Sequence, residues 1–493
     1  CLRRAKERCP VFLFLDQTLC FREIPPLMPG RLPIIQPGPG IVPAAPSPSG
    51  GGKAGTVYFA SLGCPKNRTD SEAMLAQLGQ AGYEMADGPD GADVIVVNTC
   101  TFIDASTQES VDTVLEMAEV KQSNPEAQLV VTGCMAQRHH QELKTELPEV
   151  DAFLGTGDYH RILEVVGESA KRGTDIVTDP TYVQGGEARV NTLTPWSAYL
   201  KILEGCPQRC TFCIIPRLRG DLMSRPLEVV VDEARALAGA GVKELNLVGQ
   251  DSNSWGRDLP GKPTLDDLLV ALDSVDSIQW VRLLYSYPAK FPDRLIDTLT
   301  GLQSFVPYID MPLQHISDPI LKAMRRGVNG ERTRRLLDKL RGRLPGLSIR
   351  TGFIVGFPGE TEAHFDELCD FVREQRFDNV GVFEFSPQEE TPASQLPDQI
   401  PEEVRAERRE ALMLLQQEIH LQKNEERVGT VEDVLIEGVH PETELLWVGR
   451  TRGQAPEVDG QVLIADPGTA QFGDIVPMTV TEAAGYDLVA EAL

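Results

Sequence analysis

No run in this sequence approaches the roughly 18 consecutive apolar residues that a membrane-spanning helix needs. Val11 to Leu15 is apolar but too short for the core of a secretion signal. Cysteine is sparse, ten in 493 residues. That excludes the dense disulfide scaffold of small secreted domains and makes a reducing compartment, the cytoplasm, the expected setting. Positive charge is also short: 47 lysines and arginines face 73 carboxylates, a formal net charge of −26. Non-specific phosphate binding comes mainly from Lys and Arg, so this balance argues against a broad nucleic-acid surface. It leaves room for one local basic patch and suits a basic protein partner. Residues 1–54 do not read as part of a fold. They open on Cys1 rather than methionine, which reads as a fragment or a translated upstream region, and Pro25 to Gly52 is dense in Pro, Gly, Ser and Ala. A transit peptide is the lesser reading of this stretch, and Cys1, Cys9 and Cys20 receive no role.

What is present is a globular composition, 41% hydrophobic and 24% charged, with length for about three domains. The chain is organised around EGCPQRCTFCIIP, where Cys206, Cys210 and Cys213 follow the apolar run Tyr199 to Leu203. A strand ending in such a loop turns three thiolates toward one point. Structural zinc closes with four ligands; three cysteines suit a four-iron cluster with one iron left open. Buried or disulfide-bonded cysteines are the plain alternative, and a triple at this spacing is hard to meet by accident.

Upstream, one design occurs three times. Val57 to Ser61 leads through Leu62-Gly63 to Cys64, Asp93 to Val97 through Asn98-Thr99 to Cys100, and Gln128 to Val131 through Thr132-Gly133 to Cys134. Helical patterns follow each cysteine, over Ser71 to Ala81, Ala105 to Val120 and Gln137 to Glu146. Alternating strand and helix predicts a parallel sheet, whose ligands sit beyond the carboxyl ends of the strands. Each cysteine alone reads as a core thiol; three at successive strand tips read as a second three-cysteine iron–sulfur site.

A second alternation starts at Tyr199. Strands are expected at Tyr199 to Leu203, Glu244 to Val248, Val281 to Ser286, Tyr308 to Met311, Ser348 to Val355 and Val380 to Phe385, with helices between them such as Leu227 to Ala240 and Glu362 to Glu374. Six such units predict an incomplete barrel with its chemistry at the carboxyl ends of the strands. The candidate loop residues are Gln250, Asp251, Ser286, Gln314, His315 and Gly356 to Glu360; a strand-end polar cap is the bland reading of Gln314 and His315, a tight turn that of Gly356. Arg217, Arg219 and Arg225, just behind the cysteine loop, either tune that site or bind a substrate carboxylate, or are solvated or paired with Asp221. Cys369 sits at helical spacing with Phe365, Leu368 and Val372 and reads as core. Glu402 to Arg427 is a charged helix with Leu412, Leu415 and Ile419 on one face. From Gly429 short strands at Val431 to Glu437, Leu445 to Gly449, Gln461 to Ile464 and Ile475 to Val480 predict a small β-barrel. Val428 to Leu493 carries two arginines against twelve acids, a net of −10.

The Cys-x3-Cys-x2-Cys loop resembles the signature of radical S-adenosylmethionine enzymes, and CTFCIIPRLRGDLMSRP is similar to their methylthiotransferase branch. SLGCPKN, VNTC and TGCMAQ resemble that family's amino-terminal domain; LVGQD, DMPLQH and TGFIVGFPGE resemble its barrel, and GRTRGQAPEVDG its TRAM domain, a module usually associated with RNA. The resemblance runs from about Thr56 to Leu493. It implies an α/β chain with a parallel-sheet methylthiotransferase domain over 55–170, a partial (βα)6 TIM-like radical core over 192–422 and an all-β TRAM barrel over 425–493, after a disordered, mistranslated or targeting extension over 1–54. It implies two [4Fe-4S] clusters, on Cys64, Cys100 and Cys134 and on Cys206, Cys210 and Cys213, with S-adenosylmethionine contacted around Phe212, Gln250, Gln314 and Gly356. No catalytic residue beyond the cluster ligands is assigned. CTFCIIPRLRGDLMSRP and APEVDG resemble the branch that methylthiolates the β-carbon of an aspartate in small-subunit ribosomal protein S twelve. The expected partners are that protein or the small ribosomal subunit and an electron donor such as flavodoxin or ferredoxin, with no membrane. The acidic TRAM segment argues against the branch acting on a tRNA adenosine. A non-catalytic iron–sulfur protein binding RNA or carrying electrons is the reading from another class.

Overall fold

The computed structural model describes residues 54–167 and 173–493, together with a two-residue strand at Ile34–Ile35. The expectations placed on the remaining residues of the extension, Cys1, Cys9 and Cys20 among them, lie outside the described residues.

The front unit is a five-stranded parallel sheet in the order β2-β1-β3-β4-β5, with β1 at Gly55–Ser61, β2 at Tyr83–Met85, β3 at Val94–Thr99, β4 at Gln128–Gly133 and β5 at Ala152–Leu154. All six residues of β3 are buried, as a strand covered on both faces requires. Helices α1 (Pro65–Gln80), α2 (Asp104–Ser123) and α3 (Cys134–Glu146) follow the three cysteine-bearing tips. The two three-residue strands were not expected; segments that short carry no readable period.

The central unit is a six-stranded parallel sheet whose strands neighbour one another in chain order: β6 Ser197–Lys201, β7 Glu244–Val248, β8 Trp280–Leu283, β9 Phe305–Asp310, β10 Ser348–Val355 and β11 Asn379–Glu384. This is the expected open (βα)6 barrel. β8 stops earlier than its sequence suggests because Tyr285 takes φ +59°. β9 begins earlier, running through Pro307, which has no N–H to donate; its register with β8 shifts there, between the pairs Val281–Phe305 and Leu283–Ile309. The principal outer helices are α4 (Ile215–Arg219), α5 (Leu227–Gly239), α6 (Leu265–Asp273), α7 (Asp293–Gly301), α8 (Asp318–Ala323), α9 (Gly330–Arg343), α10 (Glu362–Gln375) and α11 (Glu402–Arg427). Leu200, Leu245, Leu247, Leu283 and Ile309 bury one face of the sheet against them, with Cys369 in the same core. On α11, Leu412 and Ile419 are buried and Leu415 packs at the margin.

The last unit is a closed barrel, β12-β13-β14-β16-β15, from Val431–His440, Thr443–Thr451, Val462–Asp466, Asp487–Ala492 and Ile475–Ala484 respectively. It docks where the central strands begin. Glu244, the first residue of β7, accepts from Arg282 at 2.9 Å and from Arg450 of β13 at 2.5 Å. Burial pushes this carboxyl up, but the two guanidinium groups outweigh it and hold its pKa at about 2. A folded-state pKa below the unfolded value of 4.5 means stability that is complete above that value and is lost as pH falls toward 2. The urea midpoint of the wild-type chain should therefore fall across that interval. Glu244→Gln should start lower at pH 7 and lose less on acidification; an equal acid slope in the two proteins would contradict the assignment.

Candidate functional site

Both cysteine groups sit at carboxyl ends of parallel strands. In the front sheet the register pairs Ser61 with Asn98 and Thr99 with Gly133, so the three cysteine-bearing turns leave the sheet side by side. Gly63 shows how tightly: its φ is +92°, and a Cβ there would lie 2.8 Å from Cys100 Cβ and 3.1 Å from its Sγ. Asn67 Nδ2 ties the turns together, donating to the carbonyls of Leu62 and Thr99 at 3.0 Å each. Cys134 Sγ lies 3.8 Å from Asn67 Oδ1. The environments of the three thiols differ. Burial pushes Cys134 up to about 12 and raises Cys100 as well. Cys64, half-buried, is lowered, because Lys66 and Arg219 outweigh its desolvation.

In the central unit, Cys206 and Cys210 are buried and Cys213 is half-buried. Burial pushes the Cys206 and Cys213 thiols up to about 12. Arg326 Nη1 lies 3.5 Å from Cys210 Sγ, and its guanidinium stacks 4.3 Å from the Tyr287 ring centroid. Arg326 was not singled out in the sequence, where it is one cation in a basic run.

All seven described cysteines are free thiols. Among the described residues no three His, Cys, Asp or Glu side chains form a group that could hold a metal ion. A cubane cluster asks for something wider than one ion, since each thiolate binds a different iron. Cysteines grouped in threes bind as thiolates when a metal supplies the compensating charge, so both groups fit such a cluster.

Arg219, six residues after Cys213 in the chain, ties the central loop to the front group. It is buried, donating from Nη1 to Asp70 at 2.6 Å and to Glu204 at 3.2 Å, and from Nη2 to Asn67. Lys201, at the end of β6, completes the network with Asp70 and, at 2.9 Å, Glu204. The segment Lys66 to Glu72 of α1 is polar throughout yet buried. Lys66 Nζ sits 3.3 Å over the Tyr285 ring, Arg68 pairs with Glu457 of the last unit, and Glu72 accepts from Thr192 N at 2.8 Å. The three arginines behind the cysteine loop thus part company. Arg225 is buried against Glu233 at 2.6 Å, and Arg217 is exposed, 4.0 Å from Glu390. None of them takes Asp221, which pairs with Arg209 instead.

The four residues expected near adenosylmethionine lie around the same strand ends. Gln250 Nε2 donates to Glu204, and its Oε1 is buried without a hydrogen-bond partner. Asp251 Oδ2 accepts from Gln208 at 2.8 Å and Ser254 at 2.7 Å, whereas its Oδ1 and the hydroxyl of Ser286 are buried and unpartnered. Buried polar atoms are paired as a rule, so three orphans at neighbouring strand ends fit a polar ligand. Gln314 (φ +73°) donates its N–H to Gly352 O and accepts from Ile354 N–H, both at 2.8 Å, so its backbone prolongs the parallel pairing of β9 with β10. His315 is buried, accepting from Ser317 N–H at Nδ1 (3.0 Å) with Nε2 3.4 Å from Glu360. Gly356 has φ +70°, its N–H donates to Glu360 Oε1 at 3.0 Å, and a Cβ would lie 2.1 Å from Arg405 Cγ; that is the geometry of a tight turn. Phe212 packs on the apolar cluster of Ile320, Met324, Phe357 and Phe385.

Residues 56–155 match the uncharacterized protein family UPF0004, residues 200–372 the radical SAM superfamily and residues 428–493 the TRAM domain. The chain is 49% identical over 439 residues to ribosomal protein uS12 methylthiotransferase RimO of Myxococcus xanthus (strain DK1622), covering 89% of this chain and 92% of that one. It is 50% identical over 434 residues to RimO of Anaeromyxobacter sp. (strain K), covering 88% and 92%, and 46% over 440 residues to RimO of Geobacter sulfurreducens, covering 89% and 98%. Among solved structures, the radical S-adenosylmethionine methyltransferase TsrM from Kitasatospora setae overlaps 69% of this chain and 76% of its own at 17% identity, with a TM-score of 0.49. About half of all residues, over nearly nine-tenths of the chain, are thus shared with enzymes of one kind, and the chain belongs to the RimO family of radical S-adenosylmethionine methylthiotransferases.

Proposed function

We propose that this enzyme methylthiolates the β-carbon of an aspartate in ribosomal protein uS12, in the cytoplasm, with adenosylmethionine as both methyl donor and radical source. The observation that carries the reading is the pair of three-thiol groups at the ends of two parallel sheets, with a buried charged network through Arg219 tying the front unit to the central one. A cluster on Cys206, Cys210 and Cys213 would supply an electron to adenosylmethionine and hence a radical able to take an unactivated hydrogen, while one on Cys64, Cys100 and Cys134 would present the sulfur to be methylated and transferred. The chain's own residues do the rest. Gln250, Asp251 and Ser286 offer buried polar atoms to orient the polar groups of adenosylmethionine, and Phe212 brings an apolar wall toward its adenine. Gln314 and Gly356 shape the backbone beside them. Arg326 and Arg219 place fixed positive charge next to the thiolates and keep both sites ordered and dry.

The last unit supports a basic protein substrate rather than RNA. Of its two arginines, Arg450 is buried against Glu244 and Glu437, and Arg452 lies 3.3 Å from Asp433. Little positive charge is left to meet a phosphate backbone, whereas an acidic face attracts a basic protein. Reconstituted enzyme with adenosylmethionine and a reductant should add one methylthio group, read by mass spectrometry, to uS12 and not to tRNA. A gain on tRNA alone would overturn the substrate assignment, and absence of 5′-deoxyadenosine would overturn the chemistry.

A further inference from the structure

Between Lys322 and Arg343 the chain carries nine lysines and arginines against two carboxylates, Glu331 and Asp338, a local charge of +7 in a protein of −26. Much of it is neutralised in place. Arg334 pairs with Glu374 at 3.1 Å, Lys339 with Asp293 at 2.8 Å and Arg343 with Asp297, while Arg341 is held by Gln375 at 2.7 Å. Arg335 lies 3.5 Å from Glu331. Three cations at the end of the run nearest the cysteine loop differ. Lys322, Arg325 and Arg332 are exposed, and among the described residues no ion pair engages them. The carboxylates beside them are Glu331 and Asp318, whose Oδ1 accepts from Gly330 N–H at 2.7 Å.

This turn is fastened to the loop of Cys206, Cys210 and Cys213. Thr211 donates its N–H to Met324 O at 3.1 Å and its hydroxyl to Ala323 O at 2.8 Å. Arg325 takes φ +57°, the left-handed conformation that bulky residues seldom adopt. It points outward while its neighbour Arg326 reaches inward to Cys210 Sγ at 3.5 Å. One tight turn therefore carries a cation on the surface and a cation on the thiol beneath it.

We propose that Lys322, Arg325 and Arg332 form the docking surface for an acidic one-electron carrier protein. The proposal rests on the functional reading above, which requires an electron at Cys206, Cys210 and Cys213. In the transfer the reduced carrier is oxidised by one electron and the centre below the patch is reduced by one, with no bond made or broken. Charge complementarity selects the partner: on a strongly acidic protein an acidic carrier is steered to such an island. Three unpaired cations suit the small interface of a transient redox encounter. An RNA backbone would meet the rest of the acidic surface.

The test is calorimetric titration of the reconstituted full chain with an acidic bacterial flavodoxin and, separately, a ferredoxin, at low and high salt. At least one carrier should bind with salt-sensitive affinity. Reversing Lys322, Arg325 and Arg332 together (K322E, R325E, R332E) should weaken it at least about tenfold. Reversing Lys339 and Arg343, at the far end of α9, should leave it within about twofold. With dithionite as reductant the triple variant should form as much 5′-deoxyadenosine as wild type; with the carrier as sole reductant it should form much less. Unchanged carrier affinity, failure of both carriers to bind wild type, or a loss confined to small-subunit RNA would each overturn the proposal. If dithionite yields no 5′-deoxyadenosine even from wild type, the functional reading fails, and the affinity comparison still decides the patch.

Discussion

Replacing Cys64, Cys100 and Cys134 together by alanine should halve the iron that the chain takes up on reconstitution, from roughly eight atoms to roughly four. The fold should tolerate it, because each change removes one sulfur from strand tips that backbone register and Asn67 hold in place without the thiols. The central loop should keep its own cluster, since Cys206, Cys210 and Cys213 hang from β6 and are tied to the α8 turn through Thr211. The triple variant should therefore still convert adenosylmethionine to 5′-deoxyadenosine, yet transfer no methylthio group to uS12. Iron and acid-labile sulfide analysis, run beside the two product assays, checks all three outcomes. Iron content equal to that of wild type would remove the second cluster from the scheme and leave the front sheet without a role.

Arg219→Ala should destabilise the chain by roughly 3–5 kcal/mol, the usual consequence of removing one partner from a buried ion network. Asp70 and Glu204 would be left sharing the single cation Lys201, and Asn67 Oδ1 would lose its charged donor. Burial alone would favour the uncharged arginine; Asp70, Glu204 and the nearby Cys134 and Cys64 more than reverse that and raise its pKa well above normal. Arg219→Lys keeps the charge but lacks a planar fork that can reach three acceptors at once, so it should recover only part of the loss. Urea unfolding of the metal-free proteins reads the effect apart from any cluster. Because the arginine belongs to the central loop and its partners mainly to α1, the front sheet and the barrel should lose cooperativity together. A shift under about 1 kcal/mol for Arg219→Ala would mean that the network is solvated in solution and joins nothing.

The same α1 segment marks where sequence reasoning stopped. Six strands and the repeated strand–turn–cysteine design were legible, because near-continuous apolar runs such as Val94 to Val97 are forced into a covered parallel sheet. PKNRTDSE was not: seven polar residues in a row read as a solvated turn, and the helical period becomes visible only from Ser71. The structure starts the helix at Pro65 and buries Lys66 to Glu72. Their partners, Tyr285, Arg219, Lys201, Thr192 and Glu457, lie more than a hundred residues away in sequence. The last segment behaves alike. Gln454 to Asp459 lies under the central barrel, where Ala455 packs with Tyr199, Trp280 and Tyr308, and Tyr308 donates to Asp459 at 2.7 Å.

By itself, then, the sequence determined which residues can be strands, where the cysteines fall along them, and how few cations the chain has for its size. Those properties are local, or are sums over composition, and need no knowledge of what packs on what. Only the tertiary structure decided that the polar start of α1 is interior, that Arg219 rather than Arg217 or Arg225 reaches the front thiol group, and that Arg326 turns inward while Arg325 faces out. A buried charge is tolerable only beside its partner, and when the partner comes from another unit no short-range pattern can announce the pair.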